Sequence, residues 1–193
     1  MVNILICVTG SVAAVKLPLL VTKLKQIHQE GHDSIQIRIV LTEASLHFFS
    51  LKEVEDLLPK NSIFRDVDEW STWKKMGDPV LHIELRNWAQ IGVIAPLDAN
   101  TLGKLANGIC DNLVTCVLRA WDVSKPILMA PAMNVHMWNH PLTDRCLKIL
   151  HQFGYTQIGP IAKRLACNDI GMGAMAEIDQ IVEKIIQIYD AIH

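Results

Sequence analysis

The sequence lacks the patterns of several large classes of protein. Its 18 basic and 20 acidic residues leave no positive excess that could neutralise a phosphate backbone, so we expect no nucleic-acid partner. The apolar stretch "MVNILICVTGS" has no basic n-region and is interrupted by Gly10 and Ser11. It therefore predicts a buried first strand, and neither a signal peptide nor a membrane span.

Cysteine pairs and phosphate-binding fingerprints are also missing. The five cysteines are an odd number and include no C-x-x-C pair, which predicts neither a disulfide framework nor a zinc site. A reducing cytoplasm suits such a chain. No pair of histidines at i, i+4 combines with a carboxylate to indicate a metal site, and neither G-x-G-x-x-G nor G-x-x-x-x-G-K-[ST] occurs. We therefore expect no metal and neither of the usual dinucleotide and P-loop sites.

What is present is ample apolar material with a regular alternation of patterns. Half of the residues are hydrophobic and 20% are charged, so we expect one domain over residues 1–193. The predicted strands are 3–9, 35–42, 91–97, 125–131 and 155–161. The predicted helices are 12–30, 44–58, 101–121, 141–154 and 177–193, and residues 68–90 form a long loop leading to a short helix. This alternation predicts an α/β fold, a Rossmann-like (flavodoxin-like) doubly wound parallel sheet with helices on both faces.

Polar residues follow three of the predicted strands, at the edge where such sheets bind ligands. Gly10 permits a tight turn, and Ser11 can cap the next helix beside an anion site. Asp98, Asn100 and Thr101 can bond a heterocycle or a phosphate, although helix capping explains them equally well. Next come Asn134, with an amide, and Met133 and Met137, with soft surfaces. The set suits a mononucleotide such as a flavin.

The order of motifs resembles a known family. "GSVAA", "LHIELRNWA", "APLDANTLGKLANGICDNL", "RAW", "PAMNVHMW" and "ACNDIGMGAMAE" together resemble the homo-oligomeric flavin-containing cysteine decarboxylases over essentially the whole chain. The resemblance implies FMN as cofactor. The residues that would hold it are Gly10, Ser11, Val12, Thr42, Asp98, Ala99, Asn100, Thr101, Ala132 and Met133.

The resemblance also implies catalytic and substrate-binding residues. His82 would be a catalytic acid or base, and Cys167 would donate a proton from a flexible flap. The substrate would be held by Asn134, Arg164, Ala166 and Met175. A homotrimer is implied, with each flavin near a subunit contact and His82 supplied across it. His136 and His140 are interpreted as surface or structural residues.

The activity implied is FMN-dependent loss of CO₂ from 4'-phosphopantothenoylcysteine, which gives 4'-phosphopantetheine for coenzyme A biosynthesis. Oxidation of the thiol to a thioaldehyde would provide the electron sink that decarboxylation needs, and the resulting ene-thiolate would then be protonated and reduced. A thiol such as Cys167, with an ordinary pKa of about 8.5, suits the protonation. The chain departs from the family at Asn87, where arginine is common, and at Asn168, where glycine is usual, and Asn87 places substrate affinity in question.

Two other activities fit the same family resemblance. One is a flavin-binding regulatory subunit that inhibits a protein phosphatase, but such relatives carry long acidic extensions that this sequence lacks. The other is oxidative decarboxylation of a C-terminal peptide cysteine, which stops at the ene-thiol. A flap with Cys167 favours full reduction to the saturated thiol.

Overall fold

The computed structural model describes residues 2–27, 35–164 and 170–191. Six parallel strands form one sheet in the order β3-β2-β1-β4-β5-β6. They are β1 (Val2–Val8), β2 (Ile35–Leu41), β3 (Ile63–Phe64), β4 (Ile91–Leu97), β5 (Ile127–Pro131) and β6 (Tyr155–Gln157). This is the Rossmann order, and omitting the two-residue edge strand β3 leaves the flavodoxin order. The predicted doubly wound parallel sheet is confirmed.

Both faces of the sheet are covered by helices. The helices are α1 (Leu17–Ile27), α2 (Leu51–Glu55), α3 (Asp66–Thr72), α4 (Leu81–Trp88), α5 (Ala99–Ala106), α6 (Leu113–Arg119), α7 (Val135–Asn139), α8 (Pro141–Gln152) and α9 (Ile178–Ala191). Alternate residues of β1 enter two apolar clusters, with Ile4 and Ile6 on one face and Leu5 on the other. The first cluster includes residues of α1 and α9, and the second includes residues of α4, α5, α6 and α8. Burial on both faces explains why these strands are continuous apolar runs.

Two predicted helices are interrupted. The single helix predicted over residues 101–121 is wrong, because α5 ends at Ala106 and α6 begins at Leu113. Between them Gly108 has φ +71°, and the Asn112 side chain caps α6 by accepting from Thr115 N. The helix predicted over 44–58 is likewise a 3-10 turn (Glu43–His47) followed by α2. Between α5 and α6, the left-handed Gly108 and the Asn112 cap end one helix and begin another, although the apolar residues recur at helical spacing throughout.

Other boundaries also differ from prediction. The helix predicted from Val12 begins as a 3-10 turn (Val12–Lys16) and continues as α1 to Ile27, while residues 28–34 lie outside the described part of the chain. The segment predicted as a long loop contains α3 before α4.

A small antiparallel hairpin follows the sheet, where the sequence predicted a last strand and a loop. It consists of β7 (Ile161–Arg164) and β8 (Ile170–Ala174). A Cβ atom at Gly173 would overlap the carbonyl oxygen of Met133, and one at Gly171 would lie 2.7 Å from Val135 Cγ2. The Gly173 carbonyl also accepts a 2.9 Å hydrogen bond from Met133 N. The glycines thus let β8 pack against the segment that follows β5.

Among the described residues, no helix has the length and apolar character that a membrane crossing requires. No group of three or more potential metal ligands occurs among them. The cysteines within this part of the chain are free thiols at Cys7, Cys110, Cys116 and Cys146.

Candidate active site

The strand order reverses between β1 and β4, and ligands of such folds bind in the crevice at this point. The Thr9 side chain holds the two strand ends together. Its hydroxyl donates to the Pro96 carbonyl at 2.8 Å and accepts from Asp98 N at 2.8 Å. Sequence reasoning missed Thr9, although a polar residue at the end of a buried run was a usable signal. The result is a fixed spacing between the two turns that border the crevice.

Gly10 is required because the turn after β1 lies close to the segments that contain Ala44 and Asp98. A Cβ atom at this position would lie 2.7 Å from Ala44 Cβ and 3.3 Å from Asp98 Oδ2. The next residue, Ser11, caps the following 3-10 turn by accepting from Ala13 N at 3.4 Å. The first turn therefore has the tight geometry that its sequence predicts.

The start of α5 carries a buried hydroxyl without a partner. The Asp98 carboxylate caps this helix by accepting from Thr101 N at 2.7 Å, so the capping interpretation holds for Asp98. Thr101 is only 1% exposed, and its Oγ1 has no hydrogen-bond partner among the described residues. A buried hydroxyl of this kind is satisfied when a ligand supplies the missing hydrogen bond. Asn100, next to it, is exposed.

A cavity of about 280 Å³ lies on this side of α5, and we call it the switch-point cavity. It is lined by Thr42, Glu43, Ala44, Asp66, Asp98, Asn100, Thr101, Lys104, Asp111 and Asn112. Four of these residues are acidic, and Lys104 forms an ion pair with Asp111 at 2.8 Å. Carboxylates accept hydrogen bonds from hydroxyl groups, so this lining suits a polyol chain better than a phosphate.

A second cavity, of about 450 Å³, lies on the other side of α5 between that helix, α7 and α8. We call it the helical cavity. It is lined by Ala99, Leu102, Gly103, Asn107, Asn134, His136, Met137, His140, Leu142, Thr143 and Cys146. Asn134 caps α7 through Oδ1, which accepts from Met137 N at 2.8 Å. The predicted substrate residue Asn134 and the predicted cofactor residue Ala99 therefore border one space.

His82, in α4, is held by a carboxylate that the sequence reasoning missed. Its Nδ1 lies 2.5 Å from Glu69 Oε1, and its backbone N–H donates to Glu69 Oε2 at 3.1 Å. Glu69 belongs to α3, thirteen residues earlier, and no short motif links the two positions. Neither the switch-point cavity nor the helical cavity includes His82 in its lining.

The remaining predicted site residues are buried or lie outside the described part of the chain. Ala132 and Met175 are buried in the apolar cluster that contains α1 and α9, and Met175 is 4% exposed. Met133 is buried in the opposite cluster. Ala166 and Cys167 lie outside the described residues, as does the departure at Asn168, and only the backbone of Arg164 is described.

Two of the described cysteines are poor proton donors near neutral pH. Burial raises the pKa of the Cys7 thiol to about 12. Burial, with a smaller contribution from Cys110, raises the pKa of Cys116 to about 11. An efficient acid has a pKa near the working pH, so these two thiols do not replace Cys167 in its predicted role.

Comparison with known proteins assigns the family. Residues 1–190 match the family model described as Flavoprotein. The chain belongs to the flavoprotein family. Over 183 residues this flavoprotein is 52% identical to phosphopantothenoylcysteine decarboxylase of Mus musculus, an alignment that covers 95% of this chain and 85% of the mouse protein.

Solved structures agree with the family assignment. A cysteine-to-serine variant of a PPC decarboxylase, complexed with pantothenoylaminoethenethiol, superposes with a TM-score of 0.86 at 48% identity and 98% coverage of both chains. The FMN-binding protein AtHal3 superposes with a TM-score of 0.82 at 49% identity, covering 98% of this flavoprotein and 97% of AtHal3. The resemblance to flavin-containing cysteine decarboxylases that the motifs indicate is confirmed.

The residues at the switch point fit a flavin mononucleotide. Thr101 offers an unsatisfied buried hydroxyl, Gly10 leaves the turn after β1 free of a side chain, and the acidic lining can accept ribityl hydroxyls.

Proposed function

We propose that this flavoprotein catalyses the FMN-dependent decarboxylation of 4'-phosphopantothenoylcysteine to 4'-phosphopantetheine in coenzyme A biosynthesis. The observation that carries the proposal is the 52% identity to a phosphopantothenoylcysteine decarboxylase over 95% of the chain. Asn134 beside a cavity and His82 oriented by a carboxylate support it, because both residue types serve this chemistry.

The cofactor would be held by the residues around the switch point. These are Gly10, Ser11, Val12, Thr42, Asp98, Ala99, Asn100, Thr101, Ala132 and Met133. Bound FMN would supply reversible two-electron chemistry, which allows the thiol carbon of the substrate to be oxidised before CO₂ is lost and reduced afterwards. For Ala132 and Met133, both buried, we propose that the backbone rather than the side chain borders the cofactor.

Asn134 orients the substrate's carboxylate in this proposal. Its Oδ1 is occupied by the helix cap, so the NH₂ group is the part that can donate to an anionic oxygen. Donation from a neutral amide holds the carboxylate without the strong attraction of a cation, which would oppose the departure of neutral CO₂.

His82 exchanges a proton through its Nε2 atom. The Glu69 carboxylate beside Nδ1 fixes the orientation of the ring and favours a proton on Nδ1, which leaves Nε2 directed elsewhere. Cys167 remains the proposed donor in the final protonation, and Arg164 and Ala166 remain proposed substrate contacts. Since the Met175 side chain is buried, a substrate contact there would use its backbone.

We propose a homotrimer in which a neighbouring subunit supplies His82. In α3 and the loop that follows it, four apolar side chains spaced three residues apart are exposed, namely Val67, Trp70, Trp73 and Met76. Trp70 is 81% exposed and Met76 is 91% exposed, which is unusual for large apolar residues unless they contact a partner. Val67 and Trp70 lie on either side of Glu69 in the sequence, so a subunit packed against them would lie near the His82–Glu69 pair. A cytoplasmic location is proposed with it, on the basis of the free thiols among the described residues.

Co-expression of two impaired variants tests the shared site. His82→Asn and Asn134→Asp each remove one part of the site, and co-expression yields mixed assemblies in which some sites have both intact residues. Partial recovery of activity is expected. No recovery, in assemblies that mass spectrometry shows to be mixed, would mean that one subunit supplies both residues.

The product formed from 4'-phosphopantothenoylcysteine tests the function. We expect the purified protein with bound FMN, under anaerobic conditions, to give a product that has lost CO₂ alone. Loss of CO₂ together with two hydrogens would instead indicate oxidative decarboxylation. No reaction with flavin bound would contradict the proposed activity and favour the regulatory alternative.

A further inference from the structure

The helical cavity has no role in the function proposed above beyond its contact with Asn134. Its volume of about 450 Å³ lies within the range of roughly 300–1,000 Å³ that is usual for small-molecule sites. Its lining includes Ala99, at the start of α5, and the proposed carboxylate-binding residue Asn134. A substrate whose carboxylate is bound at Asn134 can therefore extend into this cavity without leaving the protein surface.

Gly103 widens the helical cavity. It lies inside α5, where glycine makes the helix less stable by roughly 0.5–1 kcal/mol than alanine would. Neither close packing nor a positive φ accounts for it, since a Cβ atom there would have no described atom within 4 Å apart from its chain neighbours and the backbone of α5. Gly103 lines the helical cavity, so the space that its missing side chain leaves is space for a ligand.

The polar groups of this cavity suit an anion. Two histidines, His136 and His140, are exposed residues of its lining, whereas Thr143 and Cys146 are buried. His140 caps α8, with Nδ1 accepting from Leu142 N at 3.2 Å, so the proton of a neutral ring is on Nε2. None of the residues that line this cavity is acidic, in contrast to the switch-point cavity.

We propose that the helical cavity binds the arm of the substrate beyond its cysteine, and that His136 and His140 donate hydrogen bonds to the 4'-phosphate at the end of that arm. The proposal rests on the proposed function. Gly103 leaves room for the apolar part of the arm, and the histidines make the enzyme prefer the phosphorylated substrate.

The test compares two substrates that differ only in the phosphate. The ratio kcat/KM is measured for 4'-phosphopantothenoylcysteine and for pantothenoylcysteine with the FMN-loaded protein, His136→Gln, His140→Asn and the double variant. Asparagine is a preferred N-cap residue, so His140→Asn keeps the cap of α8. His151→Gln is the control, because it changes an exposed histidine at the other end of α8.

We expect the double variant to lose about tenfold or more in kcat/KM for the phosphorylated substrate and little for the other, with no change in the control. Unchanged preference in active variants would overturn the assignment and leave the proposed function standing. The same preference with an altered oligomeric state would mean that a second copy of the chain fills the cavity. A flavin-loaded wild type that releases CO₂ from neither substrate would overturn the proposed function itself.

Discussion

The two sides of helix α5 border cavities of opposite character. Asn100, Thr101 and Lys104 face the switch-point cavity, whose lining contains four acidic residues. Ala99, Leu102 and Gly103 face the helical cavity, which is mostly apolar and has no acidic lining residue. One short helix thus separates a region suited to hydroxyl groups from a region suited to an apolar chain with an anionic end.

The difference shows how one helix can serve a cofactor and a substrate at the same time. Residues three and four positions apart share a face of a helix, so Asn100 and Lys104 border one cavity while Ala99 and Gly103 border the other. The structural reason for a glycine also differs between the two cavities. Gly10 is required by contacts with Ala44 and Asp98, whereas Gly103 has open space where its side chain would be.

The largest effect on flavin binding and stability is expected from Gly10→Ala. The added methyl would displace the turn that contains Ala44, and overpacking of this kind lowers the free energy of unfolding by about 1–3 kcal/mol. The same displacement would distort the switch-point cavity. We expect the purified variant to have lost most of its flavin absorbance and to melt at a lower temperature than wild type. Full flavin occupancy would contradict the placement of the cofactor beside this turn.

Asn134→Asp is expected to lower kcat/KM about 100-fold, because a negative charge would face the substrate's carboxylate. Aspartate is as good an N-cap as asparagine, so α7 should be retained. Steady-state release of CO₂ measures the effect. Asn139→Asp introduces the same charge at the other end of α7 and serves as the control. Equal turnover of Asn134→Asp and wild type would remove Asn134 from the substrate site.

Gly103→Ala should act in the opposite sense on stability and on binding. Alanine in a helix interior should raise the free energy of unfolding by about 0.5–1 kcal/mol, because the site has open space. The same methyl group would reduce the room in the helical cavity, so we expect KM to rise several-fold. Thermal melting and steady-state kinetics measure the two effects. A more stable protein with unchanged KM would mean that nothing binds against Gly103.

The sequence predicted the sheet and the edge at which the site lies. Buried strands such as β1 and β4 are continuous apolar runs, and the residues after them meet at one edge of any parallel sheet. The break between α5 and α6 was signalled by Gly108 and by the capping pair Asn112 and Thr115, but the apolar period on either side concealed it.

Features that depend on tertiary packing could not be predicted. The strands β7 and β8 are short, and the two glycines of β8 contact the segment after β5. Glu69 and His82 meet only because α3 packs beside α4. The helical cavity is a space between three helices, and no local pattern describes such a space.

The smallest effect on stability is expected at Glu177, whose carboxylate links the 3-10 turn after β1 to the hairpin strand β7. Its carboxylate bonds Lys16, in the turn after the switch point, at 2.8 Å and Lys163, in the hairpin, at 3.0 Å. The hydrogen bond from Lys16, then that from Lys163, holds the pKa of this carboxyl below its ordinary value. Its contribution to stability is therefore present above the ordinary glutamate pKa of about 4.3 and is lost as the pH falls through the lower, folded-state pKa.

Exposure limits the size of this contribution to less than about 1 kcal/mol. We expect Glu177→Gln to lower the melting temperature at pH 7 by no more than about 2–4 °C. The difference from wild type should shrink as the pH falls through the lowered folded-state pKa of Glu177, since the wild-type carboxyl is then protonated as well. Lys148→Gln, which removes the exposed Lys148–Asp144 pair within α8, is the control for loss of a surface ion pair. A Glu177→Gln deficit that grows on acidification would mean that Glu177 is stabilised in its neutral form, contrary to the two lysine contacts.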